Sequence, residues 1–408
     1  MNTGDTAWVL ASSALVLLMT PGLAFFYAGM VRRKSAGSTL MQAFVTIGLV
    51  GIVWVLWGYS LAFSTAESDT LNKVIGGFNF IGLNNVPAAV DNVFSDTIPH
   101  QAFMIFQAMF AIITPALILG AFAERIKFSA YLVFVVLWVT IVYAPVAHWV
   151  WGGGWLGDLG ALDYAGGTVV HINAGVAALA AAWLVFGKRV GHGTESMLPH
   201  NVPFVVLGAG LLWFGWFGFN AGSALAADES AVSAFVVTNT AAAAAMLAWL
   251  AVEWLHRGKP TVVGGASGAV AGLVAITPAA GFVGPMPSVL IGLAAGVACY
   301  WAVAGVAKLR VDDSLAVFGV HGVGGMVGAI LTGLLVGVGV TIPGFANEVS
   351  VMEQIGNQLV AVGATSVWSF VLTSAILLGL KHTIGVQVSE EDEKTGLDIT
   401  QHGEEAYA

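Results

Sequence analysis

Asp163-Tyr-Ala-Gly-Gly-Thr-Val-Val-His171-Ile-Asn-Ala-Gly175 opens an apolar segment that ends only at Gly187-Lys188-Arg189. His171 therefore lies deep in a stretch long enough to cross a bilayer. An ionisable residue at that depth is a functional-site candidate, because lipid offers it no water to bond. A second such histidine, His321 in Phe318-Gly-Val-His-Gly-Val-Gly-Gly-Met, follows 150 positions later, and Asp163 has a counterpart at Asp313. An Asp followed eight residues on by a His thus occurs twice. Two unrelated histidines, each satisfied by a local carbonyl or serine, would rarely share that offset.

The surrounding composition excludes an ordinary soluble protein. The chain is 58% hydrophobic and 9% charged, against roughly 25% charged residues in soluble domains. Its apolar runs are unbroken and longer than the alternating ten-residue segments of a membrane barrel. The fold class is an all-α polytopic membrane protein. Spans of about 20 apolar residues are expected at 7–31, 37–63, 100–122, 128–149, 165–187, 202–224, 231–255, 261–280, 286–307, 315–338 and 353–384. The basic residues test this count of eleven. With the N-terminus outside, inner loops hold Arg32, Arg33, Lys34, Arg125, Lys127, Lys188, Arg189, Arg257, Lys259, Lys308, Arg310, Lys381 and Lys394, and only Lys73 of the 14 basic residues lies outside. That bias follows the positive-inside rule and puts the C-terminus in the cytoplasm.

Five helices are an odd number, so helices six to ten start from the opposite face. The 150-residue offset therefore predicts an inverted five-helix repeat. Repeat one spans about 7–187, repeat two about 202–338, and helix eleven about 353–384, within a transmembrane domain of 1–388. Each Asp would sit near its own membrane face, about 12 Å along the axis from its His. Both histidines would approach the midplane from opposite sides. Many of the 52 glycines fall in small-xxx-small patterns, which let helix backbones approach closely in lipid. The tail, 389–408, is rich in Glu and Asp and reads as a mobile cytosolic segment, although Thr395-Gly-Leu-Asp398 could dock on the basic inner loops.

Two buried imidazoles side by side can share one proton or hydrogen-bond a small neutral molecule. They cannot hold a metal without further ligands, and the lone Cys299 supplies none. No Gly-x-x-x-x-Gly-Lys-Ser/Thr loop, catalytic triad or paired-carboxylate site is present, so ATP-driven pumping and enzymatic chemistry are not expected, and no cofactor is implied. Most of the 14 Trp and 23 Phe read as interface anchors or core. Trp151 before Gly152-Gly-Gly, Trp216 and Phe219 before Asn220-Ala-Gly-Ser223, and Phe106, Gln107 and Phe110 on one helix merit separate attention. An aromatic ring at a pore mouth attracts a small cation by about 0.5–2 kcal/mol.

Taken together, Asp163-Tyr-Ala-Gly-Gly-Thr-Val-Val-His-Ile-Asn, Gly215-Trp-Phe-Gly-Phe-Asn-Ala-Gly-Ser, Ala123-Glu-Arg-Ile, Phe318-Gly-Val-His-Gly and the tail's Glu-Lys-Thr-Gly-Leu-Asp resemble the ammonium transporter family (Amt/Mep/Rh), its microbial Amt branch most closely. The resemblance runs over essentially the whole chain. It implies the eleven-helix ammonium transporter fold in a plasma membrane, assembled as a homotrimer with one pore per subunit. It further implies that Trp151 and Ser223, with Phe110, recruit ammonium at an outer site. Phe110 and Phe219 would form the gate, and His171 and His321 would line the pore and relay a proton. Asp163, Trp216 and Gln107 would support the pathway. A trimeric PII regulatory protein is an implied cytosolic partner. Two further readings stay open, a neutral channel for ammonia or another small solute and a sensor acting through a cytosolic partner.

Overall fold

A computed structural model describes residues 1–91, 94–309, 311–340 and 349–407. Arg310, one of the bases assigned to the inner loops, and Ala408 of the tail lie outside the described residues. Among those residues there is no β-strand, only an isolated bridge between Ile126 and Gln387. Among the described residues, ten helices are long and apolar enough to cross a membrane. They are α1 Thr3–Met30, α2 Arg33–Phe63, α3 His100–Phe122, α4 Phe128–Asp158, α5 Gly167–Phe186, α6 Val202–Ala224, α7 Glu229–Arg257, α9 Pro285–Lys308, α10 Phe318–Leu335 and α11 Val351–Thr383. The eighth expected span is shorter, α8 Val262–Ile276.

At 1.5 Å per residue, α8 reaches about 22 Å, short of a hydrocarbon core of about 30 Å. It ends at Thr277-Pro278, and irregular turns carry the chain on, with Ala279 N–H donating to Ile276 and Phe282 N–H to Ala279. The linkers at its two ends nevertheless meet opposite groups of linkers. Before α8, Glu253 accepts from Thr261, and His256 bonds Tyr300 near the end of α9. After α8, Gly284 N–H donates to Val338 beyond α10. The same alternation holds along the chain. Linker 2–3 meets the end of α4 that leads into linker 4–5, with Trp155 N–H donating to the Lys73 carbonyl. Linkers 1–2, 3–4, 5–6 and 9–10 meet at the other end. Eleven crossings result, one of them completed by irregular backbone buried in protein, where it is tolerated.

Glycine sets the closest approaches. A Cβ on Gly175 of α5 would land on the Gly322 backbone of α10, and one on Gly208 of α6 would land on the Phe26 backbone of α1. Helices without a hydrophobic drive to associate gain contact in this way. α3 is buried along nearly its whole length and forms the spine of the first repeat.

The end holding linkers 1–2, 3–4, 5–6 and 9–10 carries a buried ion network. Arg189 grips Asp312 with two bonds of 3.0 Å, and Arg125 approaches the same carboxylate at 3.7 Å. Arg32 pairs with Glu124, which also faces Arg189 at 3.6 Å. Glu124 sits at φ 67°, a conformation that costs a non-glycine residue on the order of 1–3 kcal/mol; its ion pairs offset that strain.

The tail departs from the expected mobile segment. Ser389 and Asp392 form a capping box that starts α12 Glu390–Thr395. Glu393 then accepts from Val190 N–H at 2.6 Å and Arg32 at 3.3 Å. Asp398 takes the N–H groups of Gly37 and Ser38, and Leu397 is buried. Acidic composition argued for disorder, but Glu393 and Asp398 each have named donors, and the expected docking of 395–398 is what the fold contains.

Candidate functional site

The first turn of α5 is built on Asp163. Its Oδ1 accepts from Gly166 and Gly167 at 2.8 and 2.7 Å, and its Oδ2 from Thr168 and Val169 at 2.8 and 3.0 Å. One carboxylate thus satisfies four of the donors a helix start leaves unpaired. Asp313 does the same at α10 with Val317 at 3.0 Å and Phe318 at 2.8 Å. Burial pushes the Asp313 carboxyl up to about 6, opposed by those two N–H groups. Its neighbour Asp312 goes the other way, since the Arg189 hydrogen bond and the Arg125 and Arg189 charges outweigh burial and hold it below the usual carboxylate range.

Beyond each Asp the helix opens into a widened π turn, Gly167–Ile172 and Phe318–Gly322. Such turns recur at functional sites because they re-aim one side chain. Here each carries its histidine. With Gly175 against Gly322, the rings stack 5.2 Å apart and the two Nδ1 atoms meet at 3.1 Å. One of those nitrogens donates and the other accepts. The buried Nε2 of His171 finds no hydrogen-bond partner among the described residues, so it is an open position for a small polar molecule.

The expected aromatic residues continue from this pair as a file. Phe219 lies 5.9 Å from the His171 ring, Phe110 lies 4.4 Å from Phe219, and Trp151 lies 5.9 Å from Phe110. The Trp151 indole donates to the Asp163 carbonyl at 2.8 Å, which ties the far end of the file to the cap of α5. Trp216 stacks on His171 at 5.2 Å and donates to Thr277 at 2.8 Å. Ser223 joins through its hydroxyl, which donates to the Phe219 carbonyl at 2.9 Å. Gln107 precedes Phe110 by one turn, and its buried Oε1 finds no hydrogen-bond partner among the described residues.

Several relations escaped the sequence reading. Thr277, the partner of Trp216, stands where Pro278 breaks α8, and that break was the available signal. Glu124, inside Ala123-Glu-Arg-Ile, and Asp312, beside Asp313, carry no local signal of their distant partners.

The chain matches known proteins along almost its whole length. The sequence model of the Ammonium Transporter Family covers residues 7–407. An ammonium transporter of Bacillus subtilis is 51% identical over 412 residues, covering 100% of this chain and 99% of its own. Ammonium transporter Amt1 of Archaeoglobus fulgidus is 45% identical with full coverage of both chains. Among solved structures, Mep2 of Saccharomyces cerevisiae aligns with a TM-score of 0.89 at 38% identity, over 96% of this chain and 88% of that one. A Sensor Amt Protein aligns with a TM-score of 0.89 at 30% identity, over 98% of each. The chain is a multi-pass membrane protein of the ammonium transporter family.

Proposed function

We propose that the file from Trp151 through Phe110 and Phe219 to His171 and His321 is the conduction path. Ammonium is recruited against the Trp151 ring beside Ser223 and Phe110. A cation in mid-bilayer is costly, so the substrate sheds its proton before passing the two phenyl rings. Neutral ammonia then passes the histidine pair, which relays the separated proton and makes net transport electrogenic. Asp163, Trp216 and Gln107 hold or border that path. The observation that carries this reading is the continuity of the file, every ring within 6 Å of the next.

The distribution of basic linkers supports an outside N-terminus and a cytoplasmic C-terminus in a plasma membrane. Residues 1–388 then form the transmembrane unit and 389–408 a cytosolic tail. Assembly as a homotrimer and control by a PII-type protein are further parts of the proposal. A sensor role has weaker support, because identity to the Sensor Amt Protein is 30% against 51% to a transporter. The deciding experiment is current across a reconstituted membrane on ammonium addition, beside uptake of labelled methylammonium. Current with uptake supports proton-coupled transport. Uptake without current assigns a neutral channel, and neither would remove the transport reading.

A further inference from the structure

Ser223 rides on the turn that joins α6 to α7. Its hydroxyl gives its hydrogen to the Phe219 carbonyl, so lone pairs are what it has left for an N–H-bearing cation. Two residues on, Leu225 sits at φ 56°, a left-handed conformation that a bulky residue keeps only where its surroundings fix it. Inside the turn, Leu225 N–H donates to Gly222 at 3.0 Å. The first three turns of α1 grip it from the side.

Asp5 is buried, and its Oδ1 accepts from the Ala227 N–H at 2.9 Å. The Trp8 indole donates to the Ala221 carbonyl at 3.1 Å. Ser12 packs on Gly222 so closely that a Cβ there would come within 2.5 Å of the Ser12 Cβ and 2.9 Å of the Phe106 ring. Positions 5, 8 and 12 share one face of a helix. That face therefore meets residues 221, 222 and 227, on both sides of Ser223. We propose that Asp5, with Trp8, is a positioning residue for cation recruitment, fixing the turn 221–227 and with it the place of the Ser223 hydroxyl. This rests on the conduction path proposed above.

A carboxyl group near a cation site invites a simpler reading, direct attraction by its charge. The geometry favours positioning. Oδ1 of Asp5 is committed to a backbone amide and the side chain is shielded from solvent, whereas Asp228 and Glu229, the next acids along the turn, are exposed. Asp228 in turn accepts from Ala231 N–H at 3.0 Å as the cap of α7. The turn thus carries surface charge of its own, and what it takes from Asp5 is an anchor. The same end of α1 also reaches the helix of Phe110, since Asn2 N–H donates to the Thr97 carbonyl at 2.7 Å just ahead of α3.

The test pairs transport with hydrogen exchange. For labelled methylammonium uptake by reconstituted vesicles, Asp5→Ala should raise KM several-fold with Vmax changed less. Asp5→Asn, which keeps an acceptor at Oδ1, should restore most of the affinity. An equal rise in both variants overturns positioning and assigns the effect to charge. On a Ser223→Ala background, Asp5→Ala should add little, because residues that act through one another are not additive; a full further rise overturns the route through Ser223. Hydrogen exchange of segment 221–228 in lipid nanodiscs should speed several-fold in Asp5→Ala and stay near wild type in Asp5→Asn. Unchanged exchange in Asp5→Ala overturns the proposal without reference to transport. If Asp5→Ala does not fold, Trp8→Phe, which keeps a ring but loses the N–H, decides by the same KM and exchange readouts. Ser223→Ala with a wild-type KM sinks the recruitment reading instead, and exchange still decides whether Asp5 holds the turn.

Discussion

At the scale of single residues, the sharpest expectation falls on Trp151. Trp151→Leu removes the ring face but keeps an apolar filler, and the indole bond to Asp163 goes with it. Cation–π attraction of about 0.5–2 kcal/mol corresponds to roughly a two- to thirty-fold rise in half-saturation for methylammonium, with weaker exclusion of potassium. An unchanged half-saturation and unchanged exclusion would count against the cation site. His171→Ala and His321→Ala each remove one side of the 3.1 Å contact. Both variants should still assemble, yet lose most ammonium-evoked current, measured beside thermal stability. Full current in a stable variant would end the relay idea. These residues were legible in the sequence because an ionisable group in an apolar run has few bland explanations, and because the Asp–His offset repeats. Partnerships were not legible. Nothing local in the chain links Trp216 to Thr277, or Asp5 to Ala227, because those pairs exist only once the helices have packed.

Helices and linkers make their own predictions. Gly175→Val places a branched side chain onto the Gly322 backbone, so α5 and α10 cannot cross at their present distance. Overpacking of this kind costs about 1–3 kcal/mol or more, and the yield of monodisperse protein should collapse. Gly356→Ala, where a Cβ meets nothing within 4 Å, is the tolerated control. The ion network predicts a pH dependence. Asp312 is held below its usual range, so the stability it lends is complete above the unfolded value near 3.9 and falls away as pH drops through the folded value. Asp312→Asn leaves Arg189 with only its 3.6 Å contact to Glu124 and should lower stability at neutral pH by up to about 3 kcal/mol. That gap in melting temperature should narrow below about pH 4; a gap constant from pH 7 to pH 3 would show that the carboxylate charge is irrelevant. Helix number was readable from apolar run length, and most limits with it, although α4 runs on to Asp158 past the expected 149. The early end of α8 was marked in the sequence by Pro278 alone, in a run that stays apolar to Val283, and hydropathy does not register that break.

For the whole molecule, the docked tail is the part that composition misjudged. Counting charges says nothing of whether each has a donor, and here Arg32, Val190, Gly37 and Ser38 wait for Glu393 and Asp398. Deleting 390–408 should lower the melting temperature by several degrees and weaken capture of a cognate PII protein in pull-downs across nucleotide conditions. Equal melting and equal capture would mean that the tail is neither brace nor docking surface. The repeat itself was visible as an offset of 150 positions, and that near-symmetry meets a limit at its own axis. Where the two halves touch, His171 and His321 face each other through like nitrogens, Nδ1 to Nδ1. A single hydrogen must belong to one ring or the other, so the neutral pair always holds two different tautomers, and the halves that match elsewhere are made unequal there. Swapping the roles of the halves takes two proton moves and no helix motion: the shared hydrogen crosses between the Nδ1 atoms while one ring gives up its Nε2 hydrogen and the other gains one, which makes the centre of the molecule a two-position element.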